Sequence, residues 1–173
     1  MKHKRLLLSA AVVFAGTTSF KAAKSNPDDF LIEITKTEHQ LKVYEGEACV
    51  ATYPVVFGNN DMGDKMMEGD RKTPEGTFHI SFKKVHNKWD RFMLIDYPTV
   101  ESYVKFNDRK NQGLIPSNAK IGGAIGIHGT WPHEDYVIDR NSNWTLGCIS
   151  MKNVDVEELY DNIAPGTLVV IKH

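Results

Sequence analysis

The sequence predicts a mainly β fold with short helices, a β-rich α+β class. Three observations carry that expectation. Short alternating or apolar runs recur between turn residues, one stretch alone has clean helical spacing, and no internal repeat or low-complexity tract appears. At 173 residues the chain is expected to form one domain that buries most of its apolar surface. Its 41% hydrophobic and 25% charged residues are ordinary for a globular protein, and a formal net charge of -1 offers no electrostatic footprint for nucleic acid.

Taken in order, the chain opens with Lys2, His3, Lys4 and Arg5, followed by the apolar run from Leu6 to Ala15 and then small polar residues. This pattern predicts a secretory signal peptide over 1–19, cleaved after Ala15 or after Ser19. The run is too short for a permanent membrane span, and the lack of a cysteine behind it argues against a lipoprotein anchor. A polar lead-in over 20–29 follows, and the domain is expected over 30–173. Segments 30–34 and 40–44 read as strands, and Glu45-Gly46-Glu47 reads as a hairpin turn into a β-rich run over 49–57.

The polar stretch 58–76 is long enough to be functional rather than idle, and it lacks the Gly-Lys-Ser/Thr of a phosphate-binding loop. Strands are expected at 77–82 and at 92–97, the second stopped by Pro98, while 99–109 is open between helix and loop. Polar residues over 111–123 precede the apolar run 124–127 that leads into His128. The best helix is 155–163, with Val156, Leu159, Tyr160 and Ile163 on one face and Asn153 or Asp155 available as a cap. Pro165-Gly166 ends it, and 167–172 forms a last strand.

Two reactive residues stand out. Ile125-Gly-Ile-His128-Gly129-Thr and Thr145-Leu-Gly147-Cys148-Ile-Ser150-Met each set one beside glycine after an apolar run. Cysteine is strongly nucleophilic only as thiolate, and an imidazole is the usual acceptor of its proton. Flanking glycines let a substrate approach the backbone closely. His39, His79, His86 and His173 occupy ordinary strand, loop or terminal contexts and receive no role. Cys49 lies in a strand-like run and reads as a small buried hydrophobe. For an exported chain, the residues alone leave a Cys49–Cys148 disulfide and a free Cys148 both open. Zinc is the chemical rival, with His128, His133, Glu134, Asp135 and Cys148 as possible ligands, but the spacing fits no zinc motif and Pro132 breaks any helix there.

The order His-x16-Thr-x-Gly-Cys, with Ile, Ser, Met and Asn153 after it, resembles the catalytic signature of the L,D-transpeptidase (YkuD-type) family. Gly69-Asp-Arg-Lys-Thr-Pro-Glu-Gly-Thr-Phe78, Ile95-Asp-Tyr-Pro98, Gly126-Ile-His-Gly129 and Asn143-Trp-Thr-Leu-Gly-Cys148 extend the resemblance over most of 30–173. Two positions depart from it: Ser150 stands where many members carry arginine, and Leu146 where a histidine is common. A serine cannot make arginine's bidentate, charged contact with a carboxylate.

The resemblance implies a β-sandwich of mixed sheets and a free Cys148 that attacks a peptidoglycan stem peptide to form a thioester. It implies His128 as base, the Gly129 carbonyl as its orienting partner, and the Gly147 and Cys148 N–H groups as oxyanion donors. It further implies an enzyme of the periplasm or cell envelope that needs no cofactor and no metal. The acceptor would be the amine of a second stem peptide or of a wall-linked lipoprotein, with cross-linking and cell-shape roles. Water as acceptor would make it an L,D-carboxypeptidase or a wall-protein-releasing hydrolase; a non-catalytic peptidoglycan-binding module is the third possibility. Thr145, Ser150, Trp144, Trp131, Tyr97 and Asn153 are candidate substrate contacts, with packing as the ordinary role of each aromatic and helix capping as that of Asn153.

Overall fold

Alternating apolar residues place one face of each strand inward, and in the computed structural model, which describes residues 26–173, these strands join into one mixed sheet. The leader expected over 1–19 lies outside the described residues. The first strands, β1 (Phe30–Thr35), β2 (Gln40–Glu45) and β3 (Ala48–Pro54), form an antiparallel meander. Ile32, Ile34, Leu41 and Val43 alternate with partly exposed neighbours and are fully buried. Gly46, at φ 57°, makes the turn between β2 and β3.

Strand β4 (Gly76–His86) runs well past the expected end at 82, because its second half pairs with β5 (Asp90–Ile95) although it no longer buries alternate residues. A register shift between Ile80 and Phe82 marks the point where β4 leaves one half of the sheet for the other. After β6 (Gly126–His128), β7 (Ile149–Ser150) and β8 (Leu168–Lys172), the strand order is β3-β2-β1-β8-β4-β5-β6-β7, with β1–β8 and β6–β7 parallel. The sheet curls until its ends meet: Val56 and Ser150 exchange both backbone hydrogen bonds at 2.8 Å. That bridge gives β7 a second partner next to the cysteine.

Helix α1 (Val100–Asn111) settles the segment that the sequence left open. Thr99 caps it by accepting the Ser102 N–H at 3.3 Å, and Arg109 and Lys110 complement its last turn. Only Phe106 is buried along it, which accounts for its faint periodicity. A single turn, α2 (Tyr136–Asp139), precedes α3 (Asn153–Asn162), which buries Val156 and Leu159 in the core beside β5 and β6. The expected caps of α3 are corrected. Lys152 is the N-cap residue, Asn153 and Asp155 lie inside the helix, and the Asp135 carboxylate accepts the Asn153 N–H from outside at 3.1 Å. Among the described residues, no helix is long and apolar enough to cross a membrane.

The 58–76 segment is held by buried charges. Asp70 accepts from Lys65 at 2.7 Å and from the Met66, Met67 and Lys72 amides at 2.6–3.0 Å. Burial pushes its carboxyl up, but these donors together hold it below its ordinary value. Lys36, 1% exposed, pairs with Glu75 at 2.7 Å and donates to the Gly63 and Thr73 carbonyls. Both buried ammonium groups are thus paired and hydrogen-bonded, as burial of charge requires.

Candidate active site

Parallel pairing of β6 and β7 brings the two reactive residues together. Ile127 pairs with Ile149 and His128 with Ser150, so His128 ends one strand while Cys148 immediately precedes its neighbour. Both line a single cleft of about 770 Å³. Cys49 and Cys148 are both free, so the disulfide alternative is not what the fold adopts. Cys49 lies exposed on β3, where its sulfur contacts the Ala51 carbonyl at 3.5 Å; the expectation of a buried Cys49 is corrected.

His128 is 2% exposed and held on several sides. Its Nδ1 lies 2.7 Å from the Gly129 carbonyl oxygen. A carbonyl only accepts, so Nδ1 carries the proton and Nε2 is the basic nitrogen. The Ser150 hydroxyl donates to the same oxygen at 3.2 Å. Trp89 stacks on the imidazole at 4.6 Å and 24°, and His86 stacks on the far face of Trp89 at 4.5 Å and 8°. Trp144 meets the imidazole edge-on at 5.5 Å. Burial lowers the His128 pKa to about 4, opposed by the Gly129 bond and assisted by His86.

Gly129 could not be another residue without displacement. A Cβ there would lie 2.2 Å from Asn153 Oδ1 and 2.9 Å from the Trp89 carbonyl oxygen. Both atoms have structural duties: Asn153 Oδ1 accepts the Thr130 N–H at 2.9 Å, and the Trp89 carbonyl accepts the Gly129 N–H at 3.0 Å.

The cysteine turn is clamped with equal care. Gly147 has φ 129°, and a Cβ on it would approach the Lys72 carbonyl oxygen to 2.8 Å. Thr145 Oγ1 accepts the Gly147 N–H at 3.1 Å and donates to the Cys148 carbonyl at 2.8 Å. From the 58–76 segment, Thr73 donates to the Gly147 carbonyl at 2.9 Å, and Arg71 Nε donates to that of Thr145 at 3.3 Å. The Cys148 thiol donates to the Ala124 carbonyl at 3.6 Å. Burial pushes its pKa above the ordinary value, while the Gly126 backbone and Lys65 act to lower it. Burial thus disfavours the charged form of both the thiol and the imidazole.

Several expected contacts are placed differently. Trp131, Trp144 and Thr145 line the cleft, with the two indoles 4.1 Å apart. The Gly147 N–H, expected at an oxyanion, instead donates to Thr145. Ser150, expected near substrate, is fully buried and turned to Gly129. Asn153 lies behind the histidine, holding Thr130. Tyr97 is a core residue 8% exposed, packed edge-on against Phe78 at 6.0 Å with its hydroxyl on the Ile121 carbonyl. These side chains are drawn inward because each finds a backbone group or an apolar pocket there. No role was expected for Trp89, His86, Arg71 or Thr73 singly, although Arg71 and Thr73 lie in the 58–76 stretch read as functional; for Trp89 the one signal was a tryptophan in the otherwise polar turn Asn87-Lys88-Trp89. Among the described residues, no group of three His, Cys, Asp or Glu is placed to hold a metal ion.

The chain, whose fold brings a histidine and a cysteine together at adjacent parallel strands, matches a family model for the L,D-transpeptidase catalytic domain, YkuD, over residues 29–171. The chain belongs to that family. Among solved structures it is similar to the helical cell shape determining protein Pgp2 from Campylobacter jejuni, at 24% identity and a TM-score of 0.61, covering 83% of this chain and 47% of that one. It is also similar to Bdellovibrio bacteriovorus Bd1075, at 22% identity and a TM-score of 0.58, covering 83% of this chain and 48% of that one. An L,D-transpeptidase from Mycobacterium smegmatis follows, at 13% identity and a TM-score of 0.55, covering 84% of this chain and 59% of that one. The chain thus spans about half the length of the first two, and at these identities the likeness carries the mainly β, mixed-sheet fold. No curated protein matches the sequence significantly.

Proposed function

We propose that this chain is an exported cysteine L,D-transpeptidase that acts on peptidoglycan stem peptides through a thioester at Cys148. One observation carries the reading: a free thiol on a clamped turn shares a cleft with an imidazole whose Nδ1 is fixed on the Gly129 carbonyl. Family membership and the resemblance to a cell-shape protein support a cell-wall substrate. The signal-peptide pattern read over 1–19 supports export to the periplasm or cell envelope, with 30–173 as the proposed catalytic unit.

In this mechanism His128 Nε2 takes the thiol proton as Sγ attacks the carbonyl carbon of the stem peptide. Because burial disfavours both charged forms, proton transfer accompanies attack in this mechanism. Negative charge forms on the carbonyl oxygen and is held by the Cys148 N–H, the Gly147 N–H being engaged with Thr145; loss of such stabilisation costs about 100- to 1,000-fold in rate. Collapse breaks the C–N bond, the imidazolium protonates the departing amine of the terminal D-residue, and a thioester remains. His128 then accepts a proton from the incoming amine as it attacks the thioester, and Cys148 leaves as thiol. Trp131 and Trp144 form an apolar wall for the peptide.

The test is product analysis with a purified, reduced chain, a stem tetrapeptide and an added amine acceptor. Release of the terminal D-residue with an amide-linked product, abolished by Cys148→Ala, is the expected result. Release of the D-residue with water as sole acceptor would reassign the chain as an L,D-carboxypeptidase. Peptide binding without release of any residue would make it a binding module.

A further inference from the structure

The cleft that holds Cys148 is walled chiefly by rings and aliphatic groups, including Phe82, Phe92, Leu94 and Leu146, and among the described residues no Asp or Glu lines it. Among the described residues one lining side chain carries a permanent charge: Lys84 of β4. The other basic lining groups are His86 and His128, and burial lowers the pKa of both. The cleft therefore presents a single fixed positive charge against an apolar wall. Such a surface selects an anion joined to an otherwise neutral chain.

Strand register sets where that charge stands. Lys84 pairs with Phe92 across β4–β5, and Phe92 pairs with His128 across β5–β6. The three side chains form a row on one face: Lys84 Nζ lies 5.7 Å from the Phe92 ring centroid, which lies 6.1 Å from that of the imidazole. Two strand spacings put the Lys84 and His128 backbones about 10 Å apart, a span that two or three peptide residues bridge.

Of the other cations near the site, Lys88 acts by charge on His86 but does not line the cleft, and two more are engaged. Arg71 donates to the Thr145 and Trp144 carbonyls, and Lys65 is paired with Asp70. Among the described residues Lys84 forms no ion pair; its ammonium lies over the Phe92 ring and its charge acts on the neighbouring His86.

We infer that Lys84 binds a carboxylate of the peptide whose carbonyl Cys148 attacks, and so determines which peptides the cleft accepts. The inference rests on the acyl-transfer reading of the site. Two carboxylates share the required chemistry: the α-carboxylate of the departing residue, and a side-chain carboxylate on the residue that supplies the carbonyl.

Binding is measured by calorimetric titration of Cys148→Ala with three peptides: a stem tetrapeptide with both carboxylates free, its C-terminal amide, and its side-chain amide. Adding Lys84→Met is expected to weaken binding of the free peptide by about 10-fold, as loss of one charge-assisted contact implies. Lys84→Arg is expected to restore most of the affinity, and the loss should shrink at high salt. One amidated peptide should bind the lysine form as weakly as the free peptide binds Lys84→Met, and be indifferent to that change; this peptide identifies the carboxylate held.

The inference is overturned if Lys84→Met leaves the free peptide's affinity unchanged, if neither amidation weakens binding, or if no peptide binds. The titration needs no chemistry at Cys148. Failure of the wild-type chain to release a D-residue would therefore sink the proposed function without altering this result, and normal turnover with unchanged Lys84→Met binding would sink only the role of Lys84.

Discussion

Replacing Trp89 with alanine removes the ring that lies flat between His86 and His128, at 4.5 and 4.6 Å from their centroids. Such a stack contributes about 0.5–1.5 kcal/mol beyond area burial. Its larger effect is on the proton. Burial holds His128 at about 4 against an ordinary 6.5, and opening one face of the imidazole to water relieves part of that penalty. A neutral imidazole is the working base, so activity is present above the His128 pKa and is lost as pH falls through it. Recovery of somewhat under half the displacement moves the acid limb up by about one pH unit. At pH 5 the native imidazole is then about nine-tenths neutral and the variant about half neutral. The assay is kcat/KM for D-residue release from pH 4 to 8, with Trp89→Phe as control. The acid limb should rise in Trp89→Ala and stay near the native position in Trp89→Phe. A limb that does not move, with the rate lowered equally at every pH, would refute the idea that Trp89 sets the histidine's environment.

Other perturbations address the clamp and the thiol. Gly129→Ala sets a methyl against Asn153 Oδ1 and the Trp89 carbonyl; overpacking and the lost Thr130 hydrogen bond should cost about 2–4 kcal/mol in urea unfolding. In a Cys49→Ser background, which removes the exposed thiol, iodoacetamide alkylation of Cys148 should climb steadily with pH through neutrality, because burial raises that thiol. A plateau between pH 5 and 7 would instead reveal an ion pair formed before substrate arrives. Thr145→Val strips the acceptor from the Gly147 N–H and the donor from the Cys148 carbonyl; kcat should fall about 10-fold with KM little changed, from loss of roughly 1–3 kcal/mol of hydrogen bonding.

The strands were legible because alternation survives in sequence: the segments read at 30–34, 40–44 and 167–172 correspond to β1, β2 and β8. The pairing of His128 with Cys148 was legible from glycine-flanked turns. The second half of β4 was not, because it pairs without burying alternate residues. Side-chain direction was equally hidden. Ser150 and Asn153 lie close to the reactive residues in sequence, yet both turn inward, and only strand register with the position of α3 decides that. The same register puts Lys84 in line with His128 although they are 44 positions apart. Trp89 and Arg71 reach the site from separate loops, so no local spacing announces them.

The most direct measurement is the intact mass of the reduced Cys49→Ser chain after brief exposure to a stem tetrapeptide, followed by fragmentation to locate any adduct. A gain equal to the acyl part of the peptide, carried on Cys148 and reversed by hydroxylamine, with one equivalent of free D-amino acid, is the expected result. Unmodified Cys148 together with no released D-residue, or an adduct carried elsewhere on the chain, would contradict a thioester at this sulfur.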